Sequence, residues 1–196
     1  HLIIIGIFSG CGVFFAQFWG KRDITNIRRV LGIGMIAASV VSLVFTAAAW
    51  IFPETIIAIF NGEPIIVGLG VRYLKIVSLS YWFTAASFGY CFVLRSTHNA
   101  FLPMLTSLLS LISNGILNYI LIFGNFGAPA LGVAGAAIAT LIARFVEFAV
   151  LVIMIYKKRE VPAATLAEMT DLSVNFIKRV VKTVIPVVLN ESNWAL

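Results

Sequence analysis

The sequence predicts an all-α integral membrane protein, a polytopic helical bundle, and three observations favour this fold class. Of its 196 residues, 61% are hydrophobic and only 11% are charged, whereas soluble domains are about half apolar and a quarter charged. The mean hydropathy is +1.03. Apolar runs of the roughly 20 residues that a helix needs to cross a bilayer recur along the chain.

The apolar runs divide the chain into four complete spans and two that the ends of the sequence interrupt. In order, the predicted spans are residues 2–17, 30–52, 76–94, 104–123, 131–156 and a last one from about Val184. The sequence starts without methionine and both starts and stops inside apolar runs. We therefore expect an internal fragment of a longer protein, with about six spans.

Basic residues concentrate in every second loop. The loops that hold most of them are 18–29, 95–103 and 157–182. The loops between them hold only Arg72 and Lys75, together with Glu54 and Glu63. The positive-inside rule predicts that the three basic loops are cytoplasmic. We expect a multi-pass protein of the plasma membrane. The net charge of +6 is thus interpreted as a topology signal and not as a nucleic-acid-binding surface.

The third basic loop contains an amphipathic segment, SVNFIKRVVK. Val174, Ile177 and Val181 share one face, and Lys178 and Lys182 point towards another. This pattern predicts an interfacial helix that leads into the last span. Its role is open between a connector joining two helix bundles and a surface helix that rests on lipid headgroups.

Polar side chains form stripes within three of the predicted spans. The stretch LISNGILNYILI belongs to a stripe about 80° wide on an ideal helix. The three sets are Ser107, Ser110, Asn114 and Asn118; Ser80, Thr84, Ser87 and Cys91; and Gly132, Ala136, Thr140, Ala143 and Glu147. The stripes are expected to face a common interior. Serine and threonine are typical of helix–helix contacts, whereas two asparagines in register favour a binding or ion-pathway role, because lipid cannot satisfy their amides.

Charged side chains within spans mark two further positions. Arg144 and Glu147 are three residues apart on one helix, which predicts a structural ion pair. Glu191, in IPVVLNESNWAL, has no basic residue within one turn. Such a carboxylate suits a group that alternately binds a proton or a cation, and the alternative is a partner charge further along the chain.

The sequence contains no recognisable catalytic motif. There is no phosphate-binding loop, zinc signature or nucleophile elbow, and we expect neither a metal site nor a cofactor. Cys11 and Cys91 lie in apolar segments without metal-ligand spacing and are interpreted as small core residues. The chain is therefore predicted not to be an enzyme.

Several motifs resemble the multidrug and toxic compound extrusion (MATE) transporters. They are AQFWGKRD, LRSTHNAFLPM, NGILNYILIFGNFGAPALGVAGAAIAT and IPVVLNESNWAL. The resemblance implies a MATE-like fold of twelve helices in two lobes, of which this chain holds about helices two to seven. Its domains would be a first-lobe bundle at 1–156, a cytoplasmic connector at 157–182 and the start of the second lobe at 183–196.

The resemblance also implies roles for individual residues. Asn114 and Asn118 match a pair that lines the first-lobe cavity, where many members have aspartate at the position of Asn118. Thr140 falls near the same cavity. Glu191 matches the acidic seventh-helix residue implicated in cation binding. Because an amide does not titrate, we assign the coupling ion to Glu191.

The predicted function is that of a secondary antiporter that exports organic cations by alternating access, in exchange for H⁺ or Na⁺. We expect a monomer whose partners are small organic cations and membrane lipids, with no nucleic acid. One alternative is a lipid-linked saccharide flippase of the same superfamily, which usually carries several basic residues in its cavity. The other is a non-transporting membrane scaffold or receptor, whose polar stripes would be used up by helix contacts.

Overall fold

The computed structural model of the chain describes residues 2–60, 63–127, 129–171 and 173–193. Within these ranges the chain is helical and contains no β-strand. The helices are α1 (Leu2–Gly20), α2 (Ile24–Ile51), α3 (Pro53–Ala58), α4 (Pro64–Ser78), α5 (Tyr81–Ser96), α6 (Phe101–Phe123), α7 (Val133–Lys158), α8 (Leu166–Thr170) and α9 (Val174–Asn193), with a 3₁₀ turn at Asn125–Gly127. The predicted all-α fold class is confirmed.

Four of the described helices, α1, α2, α6 and α7, are long and apolar enough to cross a membrane. A fifth span results if α4 and α5, which are bent by 47° at a short break, form one broken span. The prediction of a multi-pass membrane protein is therefore confirmed.

The break between α4 and α5 falls inside the span predicted at residues 76–94. Its cause is local hydrogen bonding. The Ser78 and Ser80 hydroxyls donate to the Lys75 and Val77 carbonyls, respectively. The backbone N–H groups of Leu79 and Ser80 donate to the carbonyls of Ile76 and Val77, three residues earlier, and these bonds tighten the last turn of α4.

The chain packs into two compact units that are described separately. Unit 1 comprises His1–Val41, Ala85–Leu105 and Val150–Leu196, and unit 2 comprises Ser42–Thr84 and Thr106–Ala149. Helices α2, α5, α6 and α7 each contribute residues to both units. This grouping reflects packing, and the domain division at 1–156, 157–182 and 183–196 stays a prediction.

In unit 1, α1 and α9 pack against each other in antiparallel orientation. A Cβ added to Gly6 would lie 2.9 Å from the Val188 Cα, and one added to Gly10 would lie 2.9 Å from the Val184 Cα. At the other end of the pair, the Phe18 and Phe176 rings are 6.2 Å apart. The two glycines therefore allow the backbones to approach closely, as in other membrane helix pairs.

The course of α9 differs from the sequence-based expectation. An interfacial helix and a span beginning at about Val184 were expected as two elements, but α9 continues through both and contains Pro186. Its packing on α1 explains the continuity, because contacts with one partner support both halves. Residues 194–196, which would extend the predicted span, lie outside the described residues.

The connector segment that precedes α9 is held against the first turns of α2 in unit 1. Arg28 donates to the Val161 carbonyl at 3.2 Å and to Glu168 at 2.6 Å, and Arg29 pairs with Asp171. The sequence indicated only a topological role for the basic residues of loop 18–29. Arg28 and Arg29 in addition hold the connector against α2.

Candidate functional site

The predicted cavity residues of α6 and α7 come together in unit 2 along one antiparallel contact, which we call the α6–α7 seam. It consists of Ser107, Ser110, Asn114 and Asn118 on α6, and Thr140, Ala143 and Glu147 on α7. The polar residues recur every three or four positions, so that they share one helix face. The seam thus unites two of the three polar stripes read from the sequence.

Close approach of the two helices depends on Gly135. A Cβ added there would lie 2.4 Å from the Leu121 carbonyl oxygen. Below about 3.0 Å such a contact forces the backbone to move, so the residue at this position must lack a side chain. The glycine brings the seam's side chains within hydrogen-bonding distance across the helices.

The two asparagines and Thr140 form a chain of hydrogen bonds with one direction. Asn118 Nδ2 donates to Asn114 Oδ1 at 2.9 Å, and Asn114 Nδ2 donates to Thr140 Oγ1 at 3.4 Å. Thr140 Oγ1 in turn donates to the Ala136 carbonyl at 2.9 Å. Each donor in the chain is therefore directed away from Asn118, towards α7.

The direction of this chain leaves an acceptor at its end. Asn118 Oδ1 is buried and has no hydrogen-bond partner among the described residues. A buried carbonyl oxygen without a donor costs about 1–3 kcal/mol. The position is therefore suited to a group that brings a donor or a positive charge, such as an ammonium group, a water molecule or Na⁺.

The other half of the seam holds a carboxylate that already has two partners. Glu147 is 6% exposed. It accepts a hydrogen bond from Arg144 at 2.7 Å and another from Ser107 at 3.3 Å. Arg144 keeps 44% of its side chain exposed. The guanidinium therefore neutralises the buried carboxylate from the surface of the unit.

The third polar stripe, on α5, is divided between the two units. Thr84 donates to the Ser80 carbonyl on its own chain segment at 2.9 Å, and Ser80 donates to Val77. Ser87 and Cys91 belong to unit 1 and not to unit 2. The Ser80 and Thr84 hydroxyls are thus satisfied by local carbonyls, whereas Ser87 Oγ is buried and has no hydrogen-bond partner among the described residues. The common interior expected for the three stripes stays a prediction.

Glu191 lies on α9, in unit 1, and is half-buried. Within the described ranges, no side chain or backbone group forms a hydrogen bond or ion pair with its carboxylate. The flanking Asn190 and Asn193 are exposed. Glu191 is thus a carboxylate without a partner among the described residues, on a helix that packs along α1.

No group of three or more His, Cys, Asp or Glu side chains that could hold a metal ion occurs in the described part of the chain. The Asn118 amide oxygen and the Glu191 carboxylate are oxygens of the kind that a hard cation binds.

Sequence reasoning missed several contacts that define the seam. It did not pair Ser107 with Glu147, nor Ser110 with the Ala143 carbonyl at 3.3 Å. The spacing of small residues at Gly132, Ala136 and Ala143 was a signal for close packing. The register of α7 against α6 could not be read from either helix alone.

The chain is similar in sequence to a family of known proteins. Residues 1–120 match the MatE family model. The chain is 30% identical to the probable multidrug resistance protein NorM of Agrobacterium fabrum over 74% of this chain and 31% of the relative. It is 28% identical to the probable multidrug resistance protein YoeA of Bacillus subtilis over 79% of this chain and 34% of the relative.

Solved structures agree on the fold. An inward-facing MATE transporter of the MOP superfamily superposes with a TM-score of 0.82 at 20% identity, over 97% of this chain and 42% of that one. A complex of the MATE multidrug transporter DinF-BH with R6G gives 0.77 at 21% identity, over 97% and 43%. The chain spans about a third of the length of its curated relatives. By these matches it belongs to the MatE family, and its helices are a fragment of the MATE transporter fold.

Proposed function

We propose that this chain forms part of a secondary antiporter that exports organic cations in exchange for H⁺ or Na⁺ by alternating access. The relatives are named as multidrug resistance proteins, which supports small-molecule substrates. A monomer in the plasma membrane, with loops 18–29, 95–103 and 157–182 cytoplasmic, completes the proposal. Membrane helices that close alternately around a midplane site account for such exchange.

One observation carries the proposal, the unpaired Asn118 Oδ1 at the end of the hydrogen-bond chain. Asparagine, unlike leucine, is costly to bury unless its amide is satisfied. Asn114 and Thr140 hold the Asn118 amide so that its oxygen remains available. A cationic substrate would supply the missing donor, and its apolar body would contact the surrounding leucines and isoleucines of α6.

The coupling ion is assigned to Glu191. Asn118 does not titrate, and Glu147 is already neutralised by Arg144. Glu191 has no described partner, so binding of H⁺ or Na⁺ would neutralise it when the ion enters and restore its charge when the ion leaves. Moving one charge through a potential of 100 mV supplies about 2.3 kcal/mol, enough for a roughly fortyfold to fiftyfold substrate gradient.

The two alternatives are less well supported. A lipid-linked saccharide flippase needs free basic residues for a pyrophosphate, but Arg144 is bonded to Glu147 at 2.7 Å. A scaffold or receptor would use the seam only for helix contact. In that case we would expect Asn118 Oδ1 to accept a hydrogen bond from another group of the seam, but it has no described partner.

The test is efflux of a fluorescent organic cation from vesicles that contain the complete protein, under a Na⁺ gradient and then a proton gradient. Glu191→Gln is expected to abolish gradient-driven efflux without affecting membrane insertion. Glu54→Gln removes an exposed carboxylate outside the spans and serves as the matched control. Undiminished coupled efflux by Glu191→Gln would overturn the assignment of the coupling ion.

The seam is tested in the same vesicles. Asn118→Leu removes the free acceptor and is expected to raise the KM for the cation by about 5- to 140-fold, corresponding to about 1–3 kcal/mol. Asn125→Leu, on the turn after α6, removes a donor to the Tyr119 carbonyl but no group of the seam, and is the control. An unchanged KM in Asn118→Leu would show that the seam is a helix contact and not a substrate wall.

A further inference from the structure

An apolar cavity of about 240 Å³ lies in unit 1 between α1, α2 and α9. Its lining consists entirely of apolar residues, among them Ile7 on α1, Ala37 on α2 and Val188 on α9. An interior that is otherwise close-packed loses dispersion contacts around such a space. Water does not compensate for this loss, because a site without polar groups stays dry. The cavity is therefore suited to a hydrocarbon ligand.

The cavity has an open rim on one face of α9. Three of its lining residues, Val181, Ile185 and Leu189, are 38%, 52% and 65% exposed. They follow one another at intervals of four residues, so the rim extends along about 12 Å of helix. One leaflet of the hydrocarbon core is about 15 Å thick. The opening thus matches the length of an inserted acyl chain and not that of a compact solute.

Basic side chains stand directly at one end of this rim. Lys178 and Lys182 are three residues before Val181 and Ile185, respectively, and are surface neighbours of them on the helix. Both lysines are exposed, and neither forms an ion pair with any described residue. The nearby connector carboxylates, Glu168 and Asp171, are already paired with arginines. The lysines therefore present an uncompensated positive charge next to the apolar opening.

The order of charge and apolar surface along α9 agrees with the predicted topology. Lys178 and Lys182 end the loop that is predicted to be cytoplasmic, and the rim follows them into the span. The contact between Phe18 and Phe176 brings the end of α1, which leads into another predicted cytoplasmic loop, to the same end of unit 1. Lysine at this depth extends its ammonium group towards headgroups.

We propose that this cavity and the two lysines form a site for an anionic phospholipid of the cytoplasmic leaflet. One acyl chain would occupy the cavity between α1, α2 and α9, and the headgroup phosphate would bind Lys178 and Lys182. Basic pockets between membrane helices on the cytoplasmic side recognise anionic headgroups in this way. The lipid is a resident ligand in this proposal and not a transported substrate, so the proposal is independent of the antiport function.

The test is native mass spectrometry of the complete protein, titrated with phosphatidylglycerol or with phosphatidylcholine of identical acyl chains. Phosphatidylglycerol is expected to bind more tightly. Inorganic phosphate is added in a parallel arm and is not expected to displace the lipid, because it lacks the chain. Equal affinity for the two lipids, or displacement by phosphate alone, would overturn the proposal.

Two variants separate the headgroup from the chain. Each lysine near an anionic group contributes about a fivefold gain in affinity, so Lys178→Gln with Lys182→Gln is expected to weaken phosphatidylglycerol binding about 30-fold. The control, Lys157→Gln with Lys158→Gln, removes the same charge from the exposed end of α7 and should have little effect. If both pairs weaken binding equally, the attraction is a general surface effect and the site is refuted.

Ala37→Phe fills the cavity from α2 and is expected to abolish retention of the lipid, whereas Ala47→Phe on the exposed face of the same helix is the control. Should Ala37→Phe not fold, the lysine variants still decide the headgroup contact. Retention of lipid by a folded Ala37→Phe protein would refute occupation of the cavity. So would crosslinking that shows another segment of the protein filling it.

Discussion

Replacement of Gly135 by alanine tests the link between helix packing and the polar seam. The added Cβ would lie 2.4 Å from the Leu121 carbonyl oxygen and 2.7 Å from its carbon. Contacts of this kind are essentially never below 3.0 Å and are rarely below 3.4 Å. The two helices must therefore separate by about 0.6–1.0 Å at this point. Both clashing atoms are backbone atoms, so no side-chain rotation can relieve the contact.

The separation affects the longest hydrogen bond of the seam first. Asn114 Nδ2 and Thr140 Oγ1 are already 3.4 Å apart, close to the limit for a hydrogen bond. Overpacking of this kind costs about 1–3 kcal/mol, of which the lost interhelical bond accounts for about 0.6 kcal/mol. We expect Gly135→Ala to destabilise the protein by this total amount and to raise the KM for the exported cation.

The assay is equilibrium unfolding of the complete protein in mixed micelles, with efflux measured on the same preparations. Gly115→Ala is the matched control, because an added Cβ there meets nothing within 4 Å. It is expected to stabilise α6 by up to about 1 kcal/mol through helix propensity. In a double-mutant cycle, Thr140→Val should cost less in the Gly135→Ala background than in the native one. Equal stability of Gly135→Ala and Gly115→Ala, or strict additivity in the cycle, would refute the reasoning.

Two further predictions concern the connector in unit 1. Gly32→Ala should release the connector from α2, because the added Cβ would lie 2.1 Å from the Met169 carbonyl oxygen; faster proteolysis at 160–171 would detect the release, and unchanged proteolysis would contradict it. The backbone N–H of Thr165, with its hydroxyl and the Arg28 guanidinium, holds the pKa of Glu168 below its usual value. The connector contact should therefore be fully present above about pH 4.3, the unfolded value, and be lost as the pH falls through the lowered folded pKa. Hydrogen exchange of 165–171 between about pH 5 and 3 would show this loss, and Glu168→Gln should reduce the pH dependence to the part that comes from the Arg29–Asp171 pair.

The spanning helices were predictable because their signal is local. Apolar runs at 30–52, 104–123 and 131–156 agree with α2, α6 and α7 to within three residues, except that α2 begins six residues earlier. A helix that crosses the bilayer needs about 20 apolar residues, and the hydropathy of each segment shows this length directly. No knowledge of the partner helices was needed for these elements.

The connector and α9 were less predictable because tertiary contacts determine them. Arg28 and Arg29 have the same sequence signature as any topology-determining arginine, yet they bind Glu168 and Asp171. The glycines of α1 that support α9 lie more than 160 residues from it, at Gly6 and Gly10. A pattern within one segment contains no information on such a distant partner.

The candidate site was predictable in composition but not in connectivity. The stripe on α6 identified Asn114 and Asn118, and the resemblance added Thr140. The order of donors and acceptors depends on the register of α7, which decides that Thr140 accepts from Asn114 and leaves Asn118 Oδ1 as the free end. The sequence alone would equally allow an asparagine pair that satisfies itself.

Two carboxylates lie on the long helices, and their surroundings differ. Among the described helices of 15 or more residues, α7 carries Glu147 and α9 carries Glu191, and the others carry no carboxylate. Glu147 has a guanidinium at 2.7 Å and a hydroxyl at 3.3 Å. Binding of a cation there would first require Arg144 to be displaced, and leaving a buried charge without its partner costs about 3–5 kcal/mol, more than the roughly 2.3 kcal/mol that one charge gains across 100 mV. Glu191 has no ion-pair partner among the described residues, so a coupling ion bound there under the proposed antiport would not incur this cost, whereas one bound at Glu147 would.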